Sequence, residues 1–329
     1  MSIGLPRLPG SAFVLALVAL FGGLSTAGFA PAQGYPNKPL RLIIPYPAGG
    51  ASDLTARAVV SVADEYLGQP MIVVIRSGGG GAVGAEAAAR SKPDGYTLFM
   101  ADPANLIILP QVQKIGYNPA DFVPVGQVAS LPALLMVQAG APWKTAKDFI
   151  GAARKEPGKL KHSAVTFSPE HLMFEAMAAT YGAKLTHIPS TGGGPALASL
   201  LGGHVDANGL YPPVAYPHIQ GGKLRALGLA SSKRWPLLPD VPTLAEQGFE
   251  SIEVYAWFGL MAPARTPPDI VPRWQSELAK VARVPAVATR LNELGFEVVM
   301  NSPEEFKTLL LAEHNKWAQL IKTAKISLQ

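Results

Sequence analysis

The 329-residue chain contains no cysteine, which excludes a disulfide framework, a thiol nucleophile and a lipid-modified N-terminal cysteine. Charge is scarce as well. Asp, Glu, Lys and Arg make up 16% of the residues, and the net charge is +5. The basic residues are dispersed, so the Lys/Arg runs of a nucleic-acid surface are missing. There is no G-x-S-x-G elbow and no H-E-x-x-H. The histidines stand singly at 162, 171, 187, 204, 218 and 314, where each reads as a surface or helix-end residue. His171 is the one to watch, because Ser168-Pro169-Glu170-His171 opens a helix near the expected site. With the usual catalytic sets absent, the chain is expected to be no enzyme and to use no metal and no cofactor.

Long hydrophobic runs are absent too. The apolar stretch Phe13–Phe21 gives out at Gly22-Gly23, short of the ~20 residues that a spanning helix needs. With Arg7 before it and small residues after it, the stretch reads as a secretory signal peptide over 1–32. The expected cut follows Ala30-Pro31-Ala32, leaving Gln33 as the mature start; a cut after Ala30 would put Pro31 at the new terminus. Sec export to the periplasm follows. Losing Arg7 takes the charge from +5 to +4, and the 297 remaining residues are roughly two domains' worth. Mild basicity suits capture of small anions.

What is present is a strand–helix alternation. Leu40–Ile44 reads as a buried strand ending at Pro45. The loop Pro45-Tyr46-Pro47-Ala48-Gly49-Gly50-Ala51 follows, with Ser52 as N-cap and Asp53 in the first turn of a helix reaching Leu67. A second unit has its strand at Met71–Ile75 and its helix over Val83–Arg90, and a third strand covers Tyr96–Met100. The middle of the chain repeats this grammar, with strands at Leu134–Val137 and Leu160–Val165. Thr145 caps one helix, and Pro169–Tyr181 forms another. Leu185–Ile188 leads into Pro189-Ser190-Thr191-Gly192-Gly193-Gly194 and a further helix. Short strands fall at Val205–Ala207 and Leu227–Leu229, a crossover strand holds Tyr255, Trp257 and Phe258, and two long amphipathic helices, Asp269–Arg283 and Pro303–Ile326, end the chain. The pattern argues for parallel sheets covered on both faces. It implies two α/β lobes: 33–135 with 256–329, and 136–255. The loops after Ile44, Met100, Val165 and Ile188 would face a cleft between them.

Two of these loops combine glycine with a helix start. Backbone N–H groups and the positive end of the helix dipole then make an anion site without a charged side chain. Tyr46, Pro47, Ala48, Gly49, Gly50, Ser52 and Asp53 form the first candidate, and Ser190, Thr191 and Gly192 the second. The alternative is a strand-to-helix turn that uses glycine for geometry alone. Gly79 to Gly84 also satisfies the dinucleotide G-x-G-x-x-G, but any run of four glycines does, and no acidic residue ends the next strand in a ribose-binding position.

The blocks YPNKPLRLIIPYPAGGASDLTAR, GGGGAVGAEAAARSKPDGYTLFMAD, GGGPALASLLGGHVDAN and GKLRALGLASSKRWPLLPDVPTLAEQG, in this order, resemble the Bug receptors, the TctC-like proteins of tripartite tricarboxylate transporters. The resemblance runs from about Tyr35 to the end. It implies a two-lobe periplasmic binding fold, a small carboxylate as ligand, and delivery to a two-component membrane carrier. A monomer is the default for such receptors, and a sensor that presents its closed form to a membrane signalling partner is the alternative. By position, the resemblance places ligand contacts at Tyr46–Asp53, at Asp102 and Asn105, at Phe167 and Ser168, and at Ser190–Gly192. The chain departs from the family pattern at Asp102 and Phe167, and at Ser190-Thr191, where a tyrosine and a basic residue are usual. These departures argue for a ligand with one carboxylate and an apolar, aromatic or cationic far end.

Overall fold

The computed structural model of the chain describes residue 1 and residues 34–250 and 252–323. The signal peptide and its cut after Ala32 therefore lie outside the described residues, as does the expected end of the last helix at Ile326. Residues 1–37 and 38–329 are two units, and both sheets belong to the second.

Apolar, β-branched runs bounded by proline and glycine become strands, and Ala-rich segments after them become helices. The elements in chain order are Leu40–Ile44 (β1), Ala51–Val60 (α1), Ala63–Leu67 (α2), Met71–Ile75 (β2), Ala82–Ala89 (α3), Thr97–Ala101 (β3), Phe122–Pro132 (β4) and Leu134–Gln138 (β5). Then come Ala146–Lys155 (α4), Lys161–Val165 (β6), Pro169–Tyr181 (α5), Thr186–Ser190 (β7), Gly193–Leu201 (α6), Ala207–Leu210 (β8), Pro212–Gln220 (α7) and Leu224–Leu229 (β9). Tyr255–Pro263 (β10), Ile270–Arg283 (α8), Pro285–Glu293 (α9), Glu297–Val298 (β11) and Pro303–Thr323 (α10) complete the chain. One sheet has the order β11-β4-β10-β3-β1-β2, the other β7-β6-β8-β5-β9. This is a two-sheet α/β architecture.

The sheets are mixed rather than parallel. β1 pairs in parallel with β2 and β3, and β6 with β7 and β8. β10, however, lies antiparallel between β3 and β4, and β5 lies antiparallel between β8 and β9. The reason is the connection between the sheets. The chain leaves the first sheet at Pro132 and returns at Tyr255, so β10 comes back from the opposite end. The two passages run side by side. Ala133 N–H donates to the Val254 carbonyl at 2.9 Å, Ala230 N–H to Ala133 at 2.9 Å, and Val254 N–H to Ala230 at 2.8 Å. After β10 the chain stays with the first sheet, where α8 and α10 pack on β4. A Cβ at Gly259 would stand 2.1 Å from the Phe306 ring, so glycine alone lets α10 lie this close to β10.

The expected helix from Ser52 to Leu67 is two helices. Gly50 takes the extended cap conformation, so Ala51 opens α1 and Ser52 falls inside its first turn. The break comes at Ser61-Val62, where the Ser61 hydroxyl donates to the Ala58 carbonyl at 2.8 Å and competes with the backbone. Thr145 does cap α4, in a capping box with Asp148.

Candidate functional site

The loop after β1 and the loop after β7 touch. A Cβ built at Gly193 would lie 3.7 Å from the Gly50 Cα, and one at Gly192 only 2.9 Å from the Pro47 Cδ. The φ of 171° at Gly192 is extended backbone that any residue adopts. Space, and not conformation, demands glycine there. Neither helix that follows has a side-chain cap: α1 starts from Gly50 and α6 from Gly192. Their first-turn amides have no intrahelical acceptor and sit at the positive dipole end.

A cavity, part of it open to solvent, lies beside these helix starts. The first sheet and its helices supply Tyr46, Gly50, Ala51, Ser52, Asp102, Ala256 and Phe258. The second sheet supplies Ser168, Glu170, Gly193, Leu210, Tyr211 and Val214. The amide side is therefore Gly50–Ser52 with Gly193. The remaining wall carries two carboxyls, two phenols and apolar side chains.

Asp102 follows β3 and is 6% exposed. Its carboxylate accepts from the Asn105 N–H at 3.1 Å, while the Asn105 side-chain oxygen accepts from the Asp102 N–H at 3.2 Å. Burial pushes the Asp102 carboxyl up to about 7; the Asn105 amide and the Tyr46 hydroxyl oppose that rise, and the Glu170 charge adds to it. Glu170, 8% exposed, is the second residue of α5. Burial raises its pKa, against the pull of the Ser168 and Tyr211 hydroxyls, and its Oε2 has no hydrogen-bond partner. Burial first, and the two carboxylates after it, hold the Tyr46 and Tyr211 phenols well above their ordinary range. Both are neutral hydrogen-bonding groups. The Ser52 hydroxyl is buried without a partner.

Of the residues singled out from the sequence, Tyr46, Gly50, Ser52, Asp102 and Ser168 line the cavity. Pro47, Ala48, Gly49, Asp53, Asn105, Phe167, Ser190, Thr191 and Gly192 do not. Asp53 turns back on its own loop, accepting from the Gly49 N–H at 2.9 Å and pairing with Arg57 at 2.9 Å. Ala48, Gly49 and Thr191 are exposed. The Ser190 hydroxyl donates to the Gly192 carbonyl at 3.0 Å, and Gly192 makes the loop contact. Phe167 has φ 61°, a left-handed conformation unusual for a bulky residue, and its N–H donates to His171 Nδ1 at 3.0 Å. It shapes the turn into α5 without reaching the cavity. Sequence reasoning missed Glu170 and Tyr211. Glu170 lay within the helix start already under suspicion, so that signal was available. Tyr211 sits between a strand expected elsewhere and Pro212-Pro213, which hid its helix. Phe258, on the crossover strand β10, also lines the cavity.

Three of the six histidines, His162, His171 and His187, come together in space. The rings of His171 and His187 stack at 3.9 Å, His162 lies 5.0 Å from His187, and Phe174 covers His162 at 4.1 Å. Both ring nitrogens of His162 are buried without partners. Burial, then the neighbouring rings, hold His162 well below its ordinary range and His187 at about 4. Strand pairing of β6 with β7 puts His162 opposite His187, a register that single-sequence reading does not reveal. Among the described residues, no group of three potential ligands is arranged to hold a metal, and no helix is long and apolar enough to cross a membrane.

Two α/β sheets joined by paired passages, with a cavity drawing on both, define a two-lobe solute-binding protein. Residues 55–326 match the tripartite tricarboxylate transporter family receptor, TctC, and the chain belongs to that family, which is one of receptors and not of enzymes. It is 32% identical over 318 residues to Protein BugT of Bordetella pertussis, covering 94% of this chain and 96% of that one. The periplasmic binding protein BugD has a structure similar at a TM-score of 0.85 and 30% identity, covering 90% of this chain and 100% of that one. An R. palustris protein, Rpa4515, solved with adipate, is similar at 0.85 and 31% identity, covering 89% and 99%.

Proposed function

We propose that this chain is exported to the periplasm, captures a small organic acid between its two lobes, and hands it as a monomer to a two-component membrane carrier. The observation that carries the reading is the meeting of two uncapped helix starts, α1 and α6, from opposite sheets at one cavity. A carboxylate there would accept the first-turn amides of Ala51, Ser52 and Gly193, which is how helix N-termini hold anions without a counter-charge. The adipate relative binds an acid of this kind. The lobes would be residues 33–135 with 256–329, and 136–255, opening and closing about the passages at Ala133, Ala230 and Val254.

The test is a thermal-shift screen of the chain from Gln33 against mono- and dicarboxylates, tricarboxylates, aromatic acids and amino acids. A ligand that binds only the folded state, at 100 times its Kd, adds about 2.7 kcal/mol of stability. A shift confined to acids of one class supports the receptor reading and names the ligand's chemistry. No shift with any of them overturns the anion site.

A further inference from the structure

Asp102 and Glu170 are the charged side chains that line the cavity; among the described residues no Lys, Arg or His does. Both are more than nine-tenths buried. Neither has an ion pair within the chain among the described residues, in contrast to Asp53 with Arg57 or Glu246 with Arg234. Glu170 Oε2 accepts no hydrogen bond. A buried carboxylate without an ion pair is costly, and here two of them share one small space. A carboxylate oxygen only accepts, so the vacant position on Glu170 calls for a donor hydrogen. Phenols, Ser168 and apolar side chains fill the rest of this wall. The amide side, in contrast, offers backbone donors and the Ser52 hydroxyl.

Such a cavity is dipolar: an anion belongs against the helix starts and a cation against the acids. We propose that the preferred ligand is a small amino acid, its carboxylate on the amides of α1 and α6 and its primary ammonium against Asp102 and Glu170. This rests on the receptor reading and narrows its ligand class. A dicarboxylate in the same pose would bring a second anion against two buried acids, and would be accepted only where those acids are protonated.

The experiment titrates the chain from Gln33 by calorimetry at pH 8, where an acid titrating near 7 is ionised. One panel holds α- and ω-amino acids, among them alanine, 4-aminobutyrate and 5-aminovalerate. The other holds dicarboxylates from malonate to adipate, so that 4-aminobutyrate and glutarate differ only at one end. The expected result is that the best amino acid binds at least tenfold tighter than the best dicarboxylate. Glu170→Gln, close in shape and less costly to bury, should weaken that amino acid at least tenfold and improve the best dicarboxylate. Its melting temperature, expected at or above that of the parent, separates lost binding from lost fold. The wild-type comparison stands whatever the variant does. Tighter binding of a dicarboxylate, or an amino-acid affinity untouched by Glu170→Gln, overturns this inference and leaves the receptor reading in place. No heat from either panel overturns this inference and leaves the receptor reading to the wider acid screen.

Discussion

The two sides of the cavity solve opposite problems with different parts. On one side, Gly50–Ser52 and Gly193 present backbone amides, and no side-chain charge is involved. On the other, Asp102 and Glu170 present acids that have no ion pair among the described residues. Backbone sites are set by loop path, so they depend on glycine and on the helices behind them. Side-chain sites are set by burial, so they depend on the electrostatics of each group. The amide side should therefore be sensitive to volume, and the acid side to pH and to isosteric charge removal.

The largest effect is expected from Gly192→Val. Its side chain would strike Pro47 and separate the two loops. Ligand affinity should fall by at least about 100-fold in calorimetry, while circular dichroism stays that of the parent, because the change touches a loop and not the core. A variant that binds normally would show that the two helix starts need not meet.

Next comes the acid side. Asp102→Asn should raise the melting temperature of the ligand-free protein at pH 8 and leave it unchanged at pH 4. The sign follows from a folded pKa near 7 against 3.8 for an ordinary Asp. The folded state then holds more protons than the unfolded one between those values, so stability falls as pH rises through that window. The groups facing Asp102 are Tyr46, Tyr117, Asn105 and Glu170, none of them a cation. At about 1.4 kcal/mol per pKa unit, the gain is on the order of a few kcal/mol. The histidine cluster acts with the opposite sign. His162 and His187 have depressed pKa values in the folded state, so stability is lost as pH falls from about 6.5 toward 4. In the parent the two effects oppose each other between pH 4 and 6.5. Asp102→Asn should unmask the histidines as a steeper acid loss in a melting-temperature profile.

A smaller effect is expected from Arg57→Ala. It frees Asp53, whose carboxylate also holds the Gly49 N–H, and loosens the first loop. Affinity should weaken severalfold and the melting temperature should fall slightly: Arg57 is mostly exposed, but the Asp53 it leaves behind is buried, so the loss exceeds that of a fully exposed pair. Thr191→Ala, at an exposed loop position, should change affinity less than twofold.

The same contrast governs how much could be read from the sequence. Elements that follow from local pattern were legible. Leu40–Ile44 and Pro169–Tyr181 lie where apolar runs and a Ser168 cap put them, and the glycine loops are where helix starts meet. What depends on long-range placement was not. The antiparallel β10, the approach of His162 to His187, and the inward aim of Glu170 and Tyr211 come from register and crossover, which one sequence does not encode locally. Asp53 takes a supporting place for a related reason: a carboxylate four residues before an arginine finds its partner along its own helix, and from there it holds the Gly49 N–H of the first loop. Ser190 and Thr191 stand beside glycines but outside the cavity, which their loop lines with Gly193.

The most direct test of the amide side is a crystal structure of the mature chain grown with whichever acid raises its melting temperature most. A carboxylate oxygen within hydrogen-bond distance of the Ala51, Ser52 or Gly193 N–H is the expected result. The same ligand seated elsewhere, with those amides bonded only to water, would contradict the site.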